Sequence, residues 1–439
     1  MAAPCRLFQS VCLLSLTIAL SPTPAHAYSQ FTHEELIDLV WSDSIRPLLL
    51  ERYPGTTEPA LRRAHAYAYG GSLIQDVGYY PFGKRFFSDL AHYVRTGDFV
   101  LAMFRESHNI DELAFAIGAL SHYLGDSIGH SEAVNPSTAI EFPKLVARYG
   151  PIVTYEEAPI DHVRTEFGFD VAQSAWQRYA PGAYRRRSGF RVARPLLYRA
   201  FRDTYGISAR GILGPLRTAL SSYRWSVTRL LPAFLRAEEV RLRGHLPAEP
   251  ENAAAAEFSR NVAHNEYAAR YKPPYSRPGF GAHVFAAAIS VVPKIGELKI
   301  LDVEAPVAST EALFLNSVDH AVDRFRGDLH ELRLQPDPLE LENLDLDTGS
   351  KVVPGQAKLV DQTYERLLFR IVRERAAVSP ELRDILTAFY SDPAPGPSAG
   401  RAKKRQKIDE ALEELRAARY CTAKPFLNRN CNQSNRNAY

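Results

Sequence analysis

Residues 109–130 read NIDELAFAIGALSHYLGDSIGH, a helix-length segment that is apolar around almost its whole circumference. Such a helix cannot lie on a surface, because it needs apolar neighbours on every side. Asn109 stands as its cap, with Glu112 three residues on. Yet this buried element also carries His122, Asp126 and His130. His122 and Asp126 are at i and i+4, so they project from one face. His130, at i+8, is turned by about 80° from His122 if the helix continues, at ~100° per residue. Asp126 then lies between two diverging imidazoles. A carboxylate so placed can serve a metal with each of its oxygens, which makes the helix a spine with metals on either side.

The rest of the chain reads as the helical shell such a spine requires. FTHEELIDLVWSDSIRPLLLERYP has Thr32 and Glu35 in capping-box spacing and keeps a helical pattern until Pro54. TEPALRRAHAYAYGGSLIQD predicts a second helix that ends near its paired glycines. Further helices are expected at 159–178, 192–240 with interruptions, 281–293, 309–333, 357–376 and 402–419. Only KILDVEAPV, at 299–307, alternates in the manner of a strand. The expected fold class is therefore all-α, a multi-helix domain followed by an additional, mostly helical C-terminal region. Residues 246–256 and 272–281 break the pattern, and SDPAPGPSAG at 391–400 has the composition of a linker. The chain divides into an N-terminal leader at 1–27, a main domain at 28–250, a helical region at 251–390, and a tail at 391–439 with a linker and one short helix.

The leader has its own logic. Arg6 precedes the apolar run LFQSVCLLSLTIAL, and SPTPAHA then offers small residues at Ala25 and Ala27. This is the pattern of a cleaved export signal, and the run is shorter than the ~20 residues of a membrane span. The expectation is a secreted or periplasmic protein whose mature chain begins at Tyr28; an uncleaved anchor is the alternative. Cys5 and Cys12 would leave with the leader, and Cys421 and Cys431 would remain in a polar tail, where an oxidising compartment allows a disulfide. A net charge of +3 over 439 residues is too small to argue for nucleic acid or an anionic membrane as partner.

Of thirteen histidines, seven fall between His33 and His162. His162 and Glu166 form a second i, i+4 pair, Asp76 follows a helix, and His92 lies on the next segment. Imidazole mixed with carboxylate is the donor set expected for zinc. Cleavage after Ala27 would give Tyr28 a free α-amine with a pKa near 7.7–8.0, which a metal can take in neutral form, with His33 five residues on. Each pair alone is what an ordinary helix face or a hydrogen-bonded core pair offers. The ordered series is more specific.

That series, Tyr28 and His33, Asp76, His92, His122 and Asp126 in HYLGD, His130, then His162 and Glu166, resembles the trinuclear zinc site of bacterial zinc-dependent phospholipase C. The single-strand-specific zinc nucleases share that fold. The resemblance covers about residues 28–170 by motif. It implies three Zn2+ ions. One would take Asp76, His92, His122 and Asp126, and a second His130, His162 and Glu166. The third would take the amino and carbonyl groups of Tyr28, His33 and the other oxygen of Asp126. It implies hydrolysis of a phosphoester by a zinc-bound hydroxide, with Asp76 orienting or deprotonating the water. Two departures stand out: the family usually begins with tryptophan where this chain has Tyr28, and its next histidine lies about six residues beyond the bridging aspartate. Here the gap is four. Either Gly129 ends the helix and lets His130 swing over, or the second zinc is held more weakly.

The residues do not choose the ester. GYYPFGKRFF at 78–87 is aromatic and basic, suited to lining a lipid or a nucleotide pocket or to forming a plain aromatic cluster. AYRRRSGFRVARPLLYRAFR at 183–202 holds seven arginines, which read as a solvated helix before they read as a phosphate or headgroup binder. The leading expectation is a phospholipase C-like hydrolase with a phospholipid substrate and peripheral membrane contact. A nuclease or phosphatase of the same fold, with nucleic acid as partner, and a non-catalytic relative are the alternatives.

Overall fold

The computed structural model describes residues 28–176, 189–213, 216–243, 277–334, 339–391 and 399–417, with isolated positions between them. The leader, most of the 183–188 arginine run and the Cys421–Cys431 tail lie outside the described residues. The architecture is all-α. At its centre is the spine read from the sequence, Ile110–Gly129, called α6 here. Before it come α1 (Gln30–Val40), α2 (Arg46–Arg52), α3 (Glu58–Gly71), α4 (Arg85–Tyr93) and α5 (Thr96–Arg105). After it come α7 (Asn135–Glu141), α8 (Pro143–Tyr149), α9 (Pro159–Ala175), α10 (Arg194–Tyr205), α11 (Ala209–Leu213), α12 (Leu216–Trp225) and α13 (Leu231–Leu242). The chain continues through α14 (Phe280–Val291), α15 (Ala308–Leu334), a short hairpin of β1 (Leu344–Asp345) and β2 (Ser350–Lys351), α16 (Lys358–Glu374), α17 (Pro380–Phe389) and α18 (Ala399–Ala417).

Helix α6 starts where its sequence asks. The Asn109 side chain accepts from the Glu112 amide at 3.0 Å, and Glu112 reaches back to the His108 amide at 2.9 Å. These two bonds satisfy amides that the first turn would otherwise leave unpaired. Helices α1, α3, α5 and α15 pack around α6. The approach of α3 is the closest: a Cβ on Gly118 would lie 2.1 Å from the Ala68 carbonyl oxygen, and one on Gly71 2.0 Å from that of Phe115. Two glycines thus let two backbones meet. One continuous hydrophobic core runs from Tyr28 to Leu415, so α15 to α18 bury their apolar faces in the same interior as α1 to α7.

Three sequence expectations need correction. Helix α1 begins at Gln30, and the capping box of Thr32 and Glu35 does not form. Asp170, on α9, caps it instead: the carboxylate accepts from the Phe31 and Thr32 amides at 2.7 and 3.1 Å and from the Ser29 and Thr32 hydroxyls at 2.6 and 2.7 Å. A carboxylate at a helix N-terminus is favoured by the exposed amides and the dipole, and here a distant helix supplies it. Second, KILDVEAPV is not a strand; residues Gly296–Leu301 form a 3₁₀ turn. Its alternation arises because Leu301 and Val303 plug into the core while the following backbone lies across α9, where a Cβ on Gly168 would be 2.1 Å from the Glu304 oxygen. Third, Gly129 does not end α6. It stays helical, and the chain runs on through a π-helical turn at His130–Val134. Sequence periodicity also passed over α5, α7, α8, α17 and the hairpin.

Candidate metal centre

Five imidazoles and three carboxylates meet beside α6, all with side chains fully buried. Asp126 is the hub. Its Oδ1 lies 3.2 Å from His33 Nε2, and its Oδ2 lies 3.2 Å from His92 Nε2 and 3.0 Å from His122 Nε2. Asp76, on the 3₁₀ turn after α3, brings Oδ1 to 3.3 Å from His92 Nε2. Further along, His162 Nε2 is 3.1 Å and His130 Nε2 3.9 Å from Glu166 Oε1. Three sets of donor atoms therefore converge, each within 4.8 Å: His33, His122 and Asp126; Asp76, His92 and His122; His130, His162 and Glu166.

The local fold explains the convergence. His33 on α1 stacks on His122 of α6, ring centroids 4.4 Å apart. Gly125 makes this possible, since a Cβ there would be 3.3 Å from two His33 ring atoms and 3.0 Å from Leu36 Cδ1. One turn later, a Cβ on Gly129 would lie 2.6 Å from the Tyr28 ring. The glycines of HYLGDSIGH are thus a floor on which His33 and Tyr28 rest. Tyr28 stands edge-on to His33 at 5.9 Å, and its hydroxyl meets Ser317 Oγ on α15 at 2.7 Å. His162 and Glu166 share a face of α9, and the π turn carries His130 to them, ring centroids of the two histidines 5.1 Å apart.

Three of the histidines are oriented by main-chain carbonyls. Nδ1 of His92 is 2.8 Å from Ser88 O, that of His122 is 2.9 Å from Ser72 O, and that of His130 is 2.7 Å from Leu346 O. A carbonyl can only accept, so each Nδ1 carries the proton and each Nε2 turns its lone pair inward. Nothing in the sequence marks these carbonyls. Nε2 of His130 and of His162 has no hydrogen-bond partner among the described residues.

Electrostatics divide the cluster. Burial, then the neighbouring His122, pushes His33 down to about 4. Burial also lowers His130, and burial with His130 holds His162 well below the usual histidine range. At His92 burial opposes charge, yet the bonds to Asp126 and Asp76 outweigh it and raise the imidazole well above its ordinary value. His122 is raised by the same two carboxylates against the same opposing burial. Asp126 is held well below the carboxylate range despite its burial, first by His122. Buried carboxylates demand cations. A divalent metal meets that demand while leaving the imidazoles neutral, the form in which they ligate. The nitrogen and oxygen donors, the locked tautomers and the inward lone pairs fit zinc.

His65, in contrast, belongs to a separate packed network. It bonds Asp38 at 2.9 Å and stacks on Trp41 at 4.0 Å. In GYYPFGKRFF, Tyr79 and Tyr80 are buried and Phe82 is exposed. Arg85 lies 5.8 and 5.9 Å from the ring centroids of Tyr79 and Tyr155, which flank His92 and His162 at 5.5 and 5.9 Å. It thus stands between the two halves of the cluster, a position the sequence did not single out.

Comparison with curated proteins and with solved structures returns no match. Residues 32–212 match the family model of zinc dependent phospholipase C. That stretch contains every converging side chain from His33 to Glu166, so this part of the chain belongs to the zinc-dependent phospholipase C family, whose members are zinc phosphoester hydrolases.

Proposed function

We propose that the protein is an exported, phospholipase C-like hydrolase that holds three Zn2+ ions and cleaves a phospholipid at its phosphoester bond. The observation that supports this reading most is the convergence of three buried donor sets on one side of α6, two of them sharing His122. His33, Asp76, His92, His122 and Asp126 would hold two ions, and His130, His162 and Glu166 the other. The two oxygens of Asp126 face different imidazoles, which suits a bridging carboxylate. The main-chain amine and carbonyl of Tyr28 would complete the set after removal of residues 1–27, whose composition supports export. Zinc, when bound, supplies Lewis acidity toward phosphate oxygens and lowers the pKa of a bound water towards ~7.

The chain's own residues supply the rest. Asp76 orients the attacking water and accepts its proton, and its carboxylate is kept in place beside His92 at 3.3 Å. The Nδ1 bonds of His92, His122 and His130 fix the ring planes, so no reorganisation is needed during turnover. Arg85, one-third exposed, offers a cation to the substrate's phosphate where the two halves of the cluster meet. Phe82, exposed in the same loop, suits contact with lipid at a membrane surface; no helix among the described residues is long and apolar enough to cross one.

The test is to purify the processed chain, count zinc per molecule, and assay phosphatidylcholine and single-stranded DNA side by side. About three zincs with lipid hydrolysis is the expected result. Hydrolysis of DNA alone would replace the substrate, and bound zinc without hydrolysis of either would make the protein a non-catalytic relative.

A further inference from the structure

We propose that residues 342–349 are an integral strap of the metal centre, in which Asp347 and Tyr93 act as the positioning pair that holds the Leu346 main chain between His92 and His130. The proposal deepens the zinc reading and rests on it. The strap lies well beyond the family-matched stretch, more than two hundred residues from the histidine it orients. Leu346 touches both halves of the cluster through its backbone. Its amide donates to the His92 carbonyl at 3.0 Å, and its carbonyl accepts from His130 Nδ1 at 2.7 Å. One peptide segment therefore fixes the backbone of one proposed ligand and the ring of another.

The anchoring on either side of Leu346 is dense. The Tyr93 hydroxyl donates to Asp347 Oδ2 at 2.6 Å, and Asn135 Nδ2 donates to the Asp347 carbonyl at 2.9 Å. Upstream, the Thr96 hydroxyl donates to the Leu344 carbonyl at 2.9 Å and accepts from the Leu344 amide at 2.8 Å. The Tyr123 hydroxyl donates to the Glu342 carbonyl at 2.8 Å. The hairpin closes on Gly349, at φ +66°, where a Cβ would lie 2.3 Å from the Ser127 oxygen of α6. Only glycine combines that backbone with that approach. Every tie runs to α4, α5, α6 or the turn beyond α6, the elements that carry or flank His92, His122, Asp126 and His130.

Asp347 has the features of a retained charge in place of a packing residue. It is 3% exposed, and its Oδ1 has no hydrogen-bond partner among the described residues. Burying a carboxylate costs free energy that a leucine or asparagine would not. The structure keeps it where Tyr93, the neighbour of His92, can pin it. Outer partners of metal-ligating histidines commonly change metal affinity about 10- to 100-fold when removed.

The experiment uses the full processed chain, with zinc affinity measured by competition with a chromophoric chelator. Asp347→Ala and Tyr93→Phe are each expected to weaken one class of zinc about 10- to 100-fold and to leave the rest at wild-type affinity. The double variant should be no weaker than the stronger single one, because both remove the same contact. In cobalt-substituted protein the ligand-field spectrum should change in Asp347→Ala and return toward wild type in Asp347→Asn, whose amide oxygen still accepts from Tyr93. Lys351→Ala, on the exposed end of the hairpin and paired only with Glu342, should bind zinc as the wild type does. Melting of the metal-free variants reports folding, and Tyr93→Phe carries the test if Asp347→Ala does not fold. Wild-type zinc affinity in both Asp347→Ala and Tyr93→Phe would overturn the proposal. A wild-type chain that binds no zinc would overturn the metal reading beneath it.

Discussion

A single methyl group on Gly125 separates the packing of α6 from its chemistry. In Gly125→Ala the new carbon would stand 3.0 Å from Leu36 Cδ1 and 3.3 Å from His33 Cε1 and Nδ1. Apolar atoms prefer about 3.5–4.0 Å, so both side chains of α1 must retreat by a few tenths of an ångström. Leu36 can turn its terminal methyl. His33 cannot yield as easily, because its ring is stacked on His122 and its Nε2 points at Asp126. Overpacking of this kind costs about 1–3 kcal/mol, while exchanging a mid-helix glycine for alanine returns about 1 kcal/mol. The metal-free protein should therefore lose roughly 0–2 kcal/mol. Zinc binding has no such compensation, since metal–ligand distances tolerate only about 0.2 Å. The assay pairs melting of the metal-free chain with chelator-competed zinc titration. Little change in melting with clearly weaker binding of one zinc is expected. Gly327→Ala, mid-helix in α15 with nothing within 4 Å of the added carbon, supplies the control: stabilised, with unchanged zinc. Gly125→Ala with wild-type zinc number and affinity would refute the reasoning, because His33 would then not need the position it occupies.

Asp76→Asn should abolish hydrolysis of phosphatidylcholine in an otherwise folded protein; an active variant would remove Asp76 from the chemistry. Arg85→Ala should raise KM for an anionic phosphoester by about tenfold, the lower end of what a bond to a charged group contributes, with kcat less affected. An unchanged KM would place Arg85 outside the substrate's path. Glu141, bonded by Thr310 at 2.7 Å, is raised from 4.5 to about 8, chiefly by burial. Between those values the folded chain holds a proton that the unfolded chain releases, so this contribution to stability falls as pH rises through the window. Glu141→Gln should flatten the pH dependence of Tm there, and an undiminished slope would show that Glu141 is not its source.

The sequence made legible what repeats at helical spacing. The apolar girth of α6 required a surrounding shell, and the i, i+4 pairs His122–Asp126 and His162–Glu166 announced donors on one face. The Asn109 cap was readable because both partners lie within one turn. The Thr32–Glu35 pattern misled for the complementary reason. A capping box competes with any better acceptor, and Asp170, 138 residues away, supplies four bonds to the start of α1. The glycines of α6 were visible, but their purpose was not, since close approach depends on what lies opposite. Main-chain carbonyls carry no residue identity at all, so Ser72, Ser88 and Leu346 could not have been singled out from the string.

The four-residue gap between Asp126 and His130 shows how such unreadable groups decide chemistry. On a regular α-helix that spacing returns a side chain to nearly the same face, which would crowd His130 against the Asp126 hub. Gly129 holds the helix without a side chain of its own, and the π turn that begins at His130 adds a residue to the following turn, re-aiming the chain. Helix geometry alone would still leave the imidazole free to rotate. The Leu346 carbonyl removes that freedom by accepting from Nδ1 at 2.7 Å, and Nε2 then faces His162 and Glu166. A departure in spacing within the first third of the chain is thus answered by a peptide from its last quarter. A homologue with the longer gap would have less need of such a strap, whereas in this chain the short gap and the strap have to be considered together.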